Sequence, residues 1–144
     1  MNDLHIGPAS AADLSDVLDF WKSAAEGTSI SDDPAGVERL HRRDPDALLL
    51  ARRGGELVGT VIAGFDGWRC HLYRLAVHPG YRRQGIATAL LAAAEERFAG
   101  LGGRRGDAMV LDRNASAHRA WDAAGYRPQE EWTRWVKAID GPTR

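Results

Sequence analysis

Leu75-Ala76-Val77-His78-Pro79-Gly80-Tyr81-Arg82-Arg83-Gln84-Gly85-Ile86-Ala87-Thr88 is the stretch on which the fold of this chain turns. Leu75 and Val77 alternate against Arg74 and Ala76, so Cys70 to Val77 reads as a strand. His78-Pro79-Gly80 ends it. From Gly85 to Ala99 the apolar residues Ile86, Leu90, Leu91, Ala94 and Phe98 recur at helical spacing, with Glu95, Glu96 and Arg97 on the other side. The segment between them is therefore a strand-to-helix loop. A helix start leaves several backbone N–H groups unpaired and carries partial positive charge. A diphosphate satisfies both at once. Gly85 and the small Ala87 let a ligand approach the backbone, and Arg82 and Arg83 add charge-assisted bonds. The same residues also suit an ordinary surface turn, and local physics leaves the two readings open. The loop is neither a phosphate-binding Gly-Lys-Ser/Thr sequence nor a dinucleotide fingerprint, since it holds one glycine at the turn.

Working outward toward the N-terminus, Leu4 to Pro8 is a short strand. Ser10 and Asp13 open a helix carrying Leu14, Val17, Leu18 and Trp21. Thr28 to Asp33 is a polar loop. Asp33 caps a second helix, with Pro34 in its first position and Val37 and Leu40 on its apolar face. Ala47 to Ala51 and Leu57 to Phe65 form a hairpin around Arg52-Arg53-Gly54-Gly55-Glu56, and Asp66-Gly67 ends it. Toward the C-terminus, Gly100, Gly102 and Gly103 stop the long helix, and Ala108 to Leu111 is a strand. Asn114 opens a helix with Ala117, Ala120, Trp121 and Ala124 inward, stopped by Gly125. Tyr126 to Glu131 and Trp132 to Ile139 read as two last strands. The order β-α-α-β-β-β-α-β-α-β-β predicts an α/β fold. Its sheet is mixed and mostly antiparallel, with about six or seven strands and about four helices on its faces. Residues 1–144 read as one domain.

Composition narrows the function. A net charge of −1 gives nucleic acid no footprint. No apolar run approaches the ~20 residues of a membrane span. Met1-Asn2-Asp3-Leu4-His5 has no basic or apolar leader pattern, so a cytoplasmic location is expected. The single cysteine, Cys70, excludes an internal disulfide framework and a cysteine metal cage, and no metal is expected.

Leu75-Ala76-Val77-His78-Pro79 with Arg82-x-x-Gly85-x-Ala87 resembles the central motif of the GNAT acetyltransferase superfamily. Asn114-x-x-Ala117-x-x-Ala120-Trp121-x-x-x-Gly125-Tyr126 is similar to its second motif, in the expected order and on the expected elements. Gly59-Thr60-Val61 with Gly64-Phe65-Asp66-Gly67 looks like a small bacterial, YpeA-like branch. The resemblance implies acetyl-CoA as co-substrate and an amine of a small molecule, peptide or protein as acceptor. A homodimer is possible on the same grounds. By position, it implies that Leu75, Ala76 and Val77 splay from the next strand and meet the pantetheine arm. It implies that Arg82, Arg83, Gln84, Gly85, Ile86, Ala87 and Thr88 surround the pyrophosphate, and that Asn114 contacts the CoA arm or caps its helix.

The resemblance also implies direct attack of a neutral amine on the thioester, helped by a base, by an N–H near Val77 for the oxyanion, and by an acid for the thiolate. Where many relatives carry a tyrosine acid, this chain has Trp121, whose indole donates a hydrogen bond but is no useful acid. Tyr126 is the neighbouring candidate, with Tyr73 and Tyr81 behind it. Met109 falls near the position of a glutamate base in some relatives. Asp112 is the candidate base, with His71 and Asp66 as alternatives. The acceptor pocket is expected to draw on Trp21, Asp66, Trp68, His71 and Trp132, with Trp135 nearby. A second reading, favoured by Trp121, is a CoA-binding sensor that lost efficient chemistry.

Overall fold

The computed structural model describes residues 3–25, 31–110, 112 and 114–139. Residues 28–30 of the expected polar loop and Leu111 of the expected strand lie outside them. The elements run β1 (Leu4–Pro8), α1 (Leu14–Ala24), α2 (Pro34–Arg43), β2 (Leu48–Arg53), β3 (Glu56–Phe65), β4 (Cys70–Val77), α3 (Ile86–Gly100), β5 (Gly106–Ala108) and α4 (Ala115–Ala123). Single 3-10 turns at Ala11–Asp13 and Pro79–Tyr81 precede α1 and α3.

Local chemistry sets the helix starts. The backbone N–H and hydroxyl of Ser10 both donate to the Asp13 carboxylate, at 2.8 and 3.0 Å. Asp33 accepts from the N–H of Gly36 at 2.7 Å, with Pro34 filling the first helical position. Asn114 accepts from the N–H of Ala117 at 3.0 Å and opens α4.

The five strands lie in the order β1-β2-β3-β4-β5. Neighbours are antiparallel except β4 and β5, which are parallel. The sheet is mixed and mostly antiparallel, and both of its faces are covered. Along β2, Leu49 and Ala51 face α3 and α4, whereas Leu48 and Leu50 face α1 and α2. This period of two explains why the strand reads as one continuous apolar run. The stripe Ile86, Leu90, Leu91, Ala94 and Phe98 is buried against one face, and Val17, Phe20 and Trp21 against the other.

Strand β4 carries a bulge. Thr60 pairs with Ala76 and Ile62 with Tyr73, so β4 spends one residue more than β3 over the same length. Arg74 takes up the excess with φ +53°. A single extra residue moves every later side chain to the opposite face. Accordingly Leu72 belongs to the α3 side of the core and Ala76 to the α1 side.

Two expectations are corrected. The last strand of the parallel pair is Gly106–Ala108, not Ala108–Leu111. It starts early because glycine lets the chain close on β4: a Cβ on Gly103 would stand 2.3 Å from Cys70 Sγ. The apolar Met109 and Val110 then follow where the pairing has stopped. Among the described residues no strand follows α4, so the sheet has five strands rather than six or seven. Arg127 folds back onto the carbonyls of Asp122 and Tyr126, at 3.3 and 2.8 Å. Pro128 has no N–H for a ladder. Trp132, Trp135, Val136 and Ile139 are exposed. Among the described residues no helix is long and apolar enough to cross a membrane.

Candidate active site

Pairing between β4 and β5 ends at Leu72 and Ala108. Beyond that point β4 continues to Val77, while the other chain departs through Met109 and Val110. The gap between them is a cleft of about 630 Å³. Leu75, Ala76 and Val77 form one wall, and Met109 and Val110 the other. Ala117, Ala120 and Trp121 of α4 close one side, and Ala24 and Ala25 stand at the end of α1. The N–H of His78 donates to the carbonyl of Val58 at 2.8 Å. Alternation along the strand therefore turns the N–H of Val77 to the other edge, toward the cleft.

The β4–α3 loop closes one end. The N–H of Gly80 donates to His78 Nδ1 at 2.9 Å, which folds the loop tightly behind β4. Arg83 and Gly85 both adopt left-handed backbone, with φ +64° and +81°. Gly85 is the N-cap of α3 and supplies no side-chain cap. The first helical bond runs from Ala89 to the Gly85 carbonyl at 3.0 Å. The N–H groups of Ile86, Ala87 and Thr88 thus lack intrahelical partners, and all three residues line the cleft. A Cβ on Gly85 would meet no protein atom within 4 Å. That open space, an uncapped positive helix end, Arg82 and Arg83 fit a diphosphate.

The expected CoA residues Leu75, Ala76, Val77, Arg82, Arg83, Gly85, Ile86, Ala87, Thr88 and Asn114 all line this one cleft. Gln84 lies in the same loop and is not among the lining residues.

The expected catalytic residues separate. Trp121 is buried and lines the cleft. Tyr126 does not: its hydroxyl donates to Glu95 Oε2 at 2.8 Å, and it borders a shallow recess with Glu95 and Phe98. Burial, together with the adjacent Glu95 carboxylate, pushes its pKa well up. Asp112 is exposed and is not among the lining residues. Tyr81 does line the cleft, but its hydroxyl donates to Glu56 Oε1 at 2.7 Å, and that bond to a carboxylate raises its pKa.

None of the expected acceptor residues lines the cleft. Trp21 is buried and donates from Nε1 to Thr60 Oγ1 at 2.9 Å. Asp66 caps its own turn by accepting from the N–H groups of Arg69 and Trp68, which holds its carboxyl below the usual range. His71 pairs with Asp66 at 3.3 Å and stacks on Tyr73. Trp68 is exposed under the Arg69 guanidinium, 4.4 Å from its ring, and Trp132 is exposed.

Two lining arginines escape a reading by motif. Arg119 lies on α4, and Arg74 sits at the bulge of β4. Arg74 had one sequence signal: it is the charged member of the alternating series Cys70, Leu72, Arg74, Ala76, whose other members are buried. Among the described lining residues the charged side chains are Arg74, Arg82, Arg83 and Arg119, with no carboxylate and no histidine. Among the described residues no group of His, Cys, Asp and Glu is placed to hold a metal ion.

Comparison with known proteins matches residues 14–126 to the Acetyltransferase (GNAT) family. A curated acetyltransferase of Sodalis glossinidius is 32% identical over 118 residues, covering 82% of this chain and 83% of that protein. Among solved structures, Ard1 from Thermoplasma volcanium superposes with a TM-score of 0.76 at 20% identity, over 85% of this chain and 82% of that one. AAC(6')-Iy in complex with a bisubstrate CoA analogue superposes with a TM-score of 0.76 at 20% identity, over 94% and 99%.

Proposed function

The chain belongs to the GNAT acetyltransferase family, and on that footing we propose that it transfers an acetyl group from acetyl-CoA to a primary amine of a small molecule or peptide. Both substrates are held together in the cleft. The observation that carries this reading is the uncapped first turn of α3 at the end of a cleft bounded by diverging strands. The N–H groups of Ile86, Ala87 and Thr88 take the diphosphate oxygens, with Arg82 and Arg83 adding charge and Gln84 completing the loop. The pantetheine arm runs between Leu75–Val77 and Met109–Val110, with Asn114 at its side as well as capping α4.

The neutral amine nitrogen attacks the thioester carbonyl carbon. A C–N bond forms and the C–S bond breaks. The nitrogen gives up one proton and the leaving thiolate gains one. The Val77 N–H, turned toward the cleft, stabilises the carbonyl oxygen as it gains charge. The described lining residues offer no carboxylate or imidazole, so water takes the amine proton and a water-borne proton is delivered to the leaving thiolate. Trp121 gives the thiolate an apolar wall and an indole N–H but no acid proton.

The test is thiol release from acetyl-CoA by the pure protein across an amine panel. Release that depends on the amine supports the reading. Absence of acetyl-CoA binding overturns it. Tight binding with no release would move the assignment to a cytoplasmic CoA-binding sensor, a reading favoured by Trp121 at the cleft wall.

A further inference from the structure

The loop between β4 and α3 is organised around His78. The backbone N–H of His78 donates to the Val58 carbonyl at 2.8 Å, which ties the residue to β3. Its carbonyl accepts from the N–H of Tyr81 at 2.9 Å, and its Nδ1 accepts from the N–H of Gly80 at 2.9 Å. Pro79 has no N–H, so the first two N–H groups of the loop both end on this one residue. The fit on the ring side is close: a Cβ on Gly80 would stand 3.3 Å from Cε1 and Nδ1 of His78. Arg82 and Arg83 follow at once, exposed and lining the cleft. The turn set by His78 therefore decides where the backbone delivers them.

A ring nitrogen that accepts a backbone N–H carries no proton. The bond from Gly80 thus assigns His78 the neutral tautomer with its hydrogen on Nε2. Nε2 stands 3.9 Å from Glu56 Oε2, beyond hydrogen-bond reach. Glu56 Oε1 is taken by the Tyr81 hydroxyl at 2.7 Å, and the Tyr81 and His78 rings meet edge to face with centroids 5.3 Å apart. Glu56 of β3 and Tyr81 of the loop are the titratable groups that face the imidazole. Arg53 at the end of β2 and Asp3 before β1 add charge beside Tyr81. His78 is not among the residues lining the cleft, so it acts through Gly80 and Tyr81 rather than by touching the ligand.

We propose that neutral His78 is a positioning residue for the diphosphate loop, and that acetyl-CoA affinity falls when this imidazole takes a second proton. The inference rests on the acetyl-CoA reading above and deepens it. A proton on Nδ1 would face the Gly80 N–H, donor against donor, and the bond that closes the turn is lost. Arg82, Arg83 and the first turn of α3 then lose their shared alignment on the diphosphate. The added positive charge acts in the opposite sense, by attracting phosphate. That effect is the weaker one, because the ring lies outside the cleft with the Glu56 carboxylate beside it.

Asparagine separates the bond from the proton. Its side-chain carbonyl accepts the N–H two residues on, as in Asx-turns, and it does not titrate. Acetyl-CoA Kd is read by calorimetry at pH about 8 and about 5.5, across the range in which imidazoles change charge, for wild type, His78→Asn and His78→Ala. At pH about 8, His78→Asn stays within about threefold of wild type, and His78→Ala binds at least about fivefold more weakly. Between the two pH values wild type weakens at least about fivefold more than His78→Asn does. That comparison removes the titration of the CoA phosphates, which is common to both proteins. A pH change in wild type no larger than that in His78→Asn overturns the inference, as does His78→Ala binding as tightly as wild type at the higher pH. His78→Asn binding as weakly as His78→Ala overturns it too, since ring packing and not the Gly80 bond would then position the loop. Should His78→Ala fail to fold, wild type against His78→Asn decides. Absence of acetyl-CoA binding by wild type at both pH values overturns the underlying reading instead.

Discussion

Trp121 and Tyr126 meet edge to face, their ring centroids 5.0 Å apart and their planes at 81°. The contact divides two residues that lie close in sequence between two sides of the fold. Trp121 turns to the cleft, while the Tyr126 hydroxyl turns to Glu95. A phenol whose pKa is raised by burial and by a neighbouring carboxylate stays protonated through the neutral range, and this one points away from the cleft. Tyr126→Phe therefore leaves kcat within about twofold and lowers stability by about 1 kcal/mol, the loss of one hydrogen bond. Thiol-release kinetics and urea denaturation check both parts. A tenfold fall in kcat with acetyl-CoA binding intact would return Tyr126 to the chemistry.

Gly85 separates ligand loss from fold loss. Its φ of +81° strains any β-branched residue, but a Cβ there meets no protein atom within 4 Å. Gly85→Val is expected to cost about 1–2 kcal/mol of stability from backbone strain. It should raise acetyl-CoA Kd by at least about tenfold, because the added carbons occupy the diphosphate space. Gly102 has φ +88° and similarly open surroundings, away from the lining residues. Gly102→Val thus carries the same strain without the ligand effect. Equal Kd values for the two variants would show that the Gly85 space is not used.

What was legible in the sequence follows from the range of the forces involved. The buried stripe of α3, the Asp33 and Asn114 caps and the glycine hairpin are written within one or two helical turns or one tight turn. They stand where the spacing put them. The loop from Arg82 to Thr88 was legible because the residues that open a helix also line the cleft. The end of the cleft beside α1 was not. Its shape depends on the bulge at Arg74, which moves β4 side chains from one face to the other without any change in the alternating pattern. Trp21 reads as a pocket wall or, preferably, as core, and its burial and its bond to Thr60, far away in sequence, place it in the core. Ala108-Met109-Val110 is apolar enough for a strand, yet Gly103 brings the chain onto β4 early and leaves Met109 past the end of the ladder.

Asp13 makes the fold sensitive to acid. Its carboxylate accepts the backbone N–H and the hydroxyl of Ser10, and the Arg52 guanidinium at 2.7 Å. The Ser10 backbone bond chiefly holds its pKa below the usual value, against an opposing effect of burial and with help from the Ser10 hydroxyl and Arg52. A group whose folded pKa is depressed adds stability above its unfolded pKa, near about 3.9, and loses it as pH falls through the folded value. Asp13→Asn should therefore melt below wild type at pH about 7. The gap should narrow as pH falls below about 4, where the wild-type carboxylate begins to protonate. Melting temperatures taken from neutral to acid pH check this. A gap of constant size would mean that the effect of Asp13 is steric.

Thr60 links the core to the end of the cleft beside α1. It is fully buried, accepts from Trp21 Nε1 at 2.9 Å and donates to the Arg74 carbonyl at 2.8 Å. Thr60→Val keeps the shape and removes both bonds. The Trp21 indole then has a buried donor without its acceptor, a loss of about 1–3 kcal/mol. The Arg74 carbonyl, at a residue already in left-handed backbone, loses its restraint as well. Thr60→Val should lower the urea midpoint accordingly and raise the KM for an acceptor amine, while acetyl-CoA Kd stays put, since the diphosphate end does not depend on Thr60. Thr60→Ser, which keeps the hydroxyl and gives up a methyl group, should restore the acceptor KM even if part of the stability loss remains. If Thr60→Val and Thr60→Ser shift KM equally, packing at this position sets that end of the cleft and the hydroxyl relay does not.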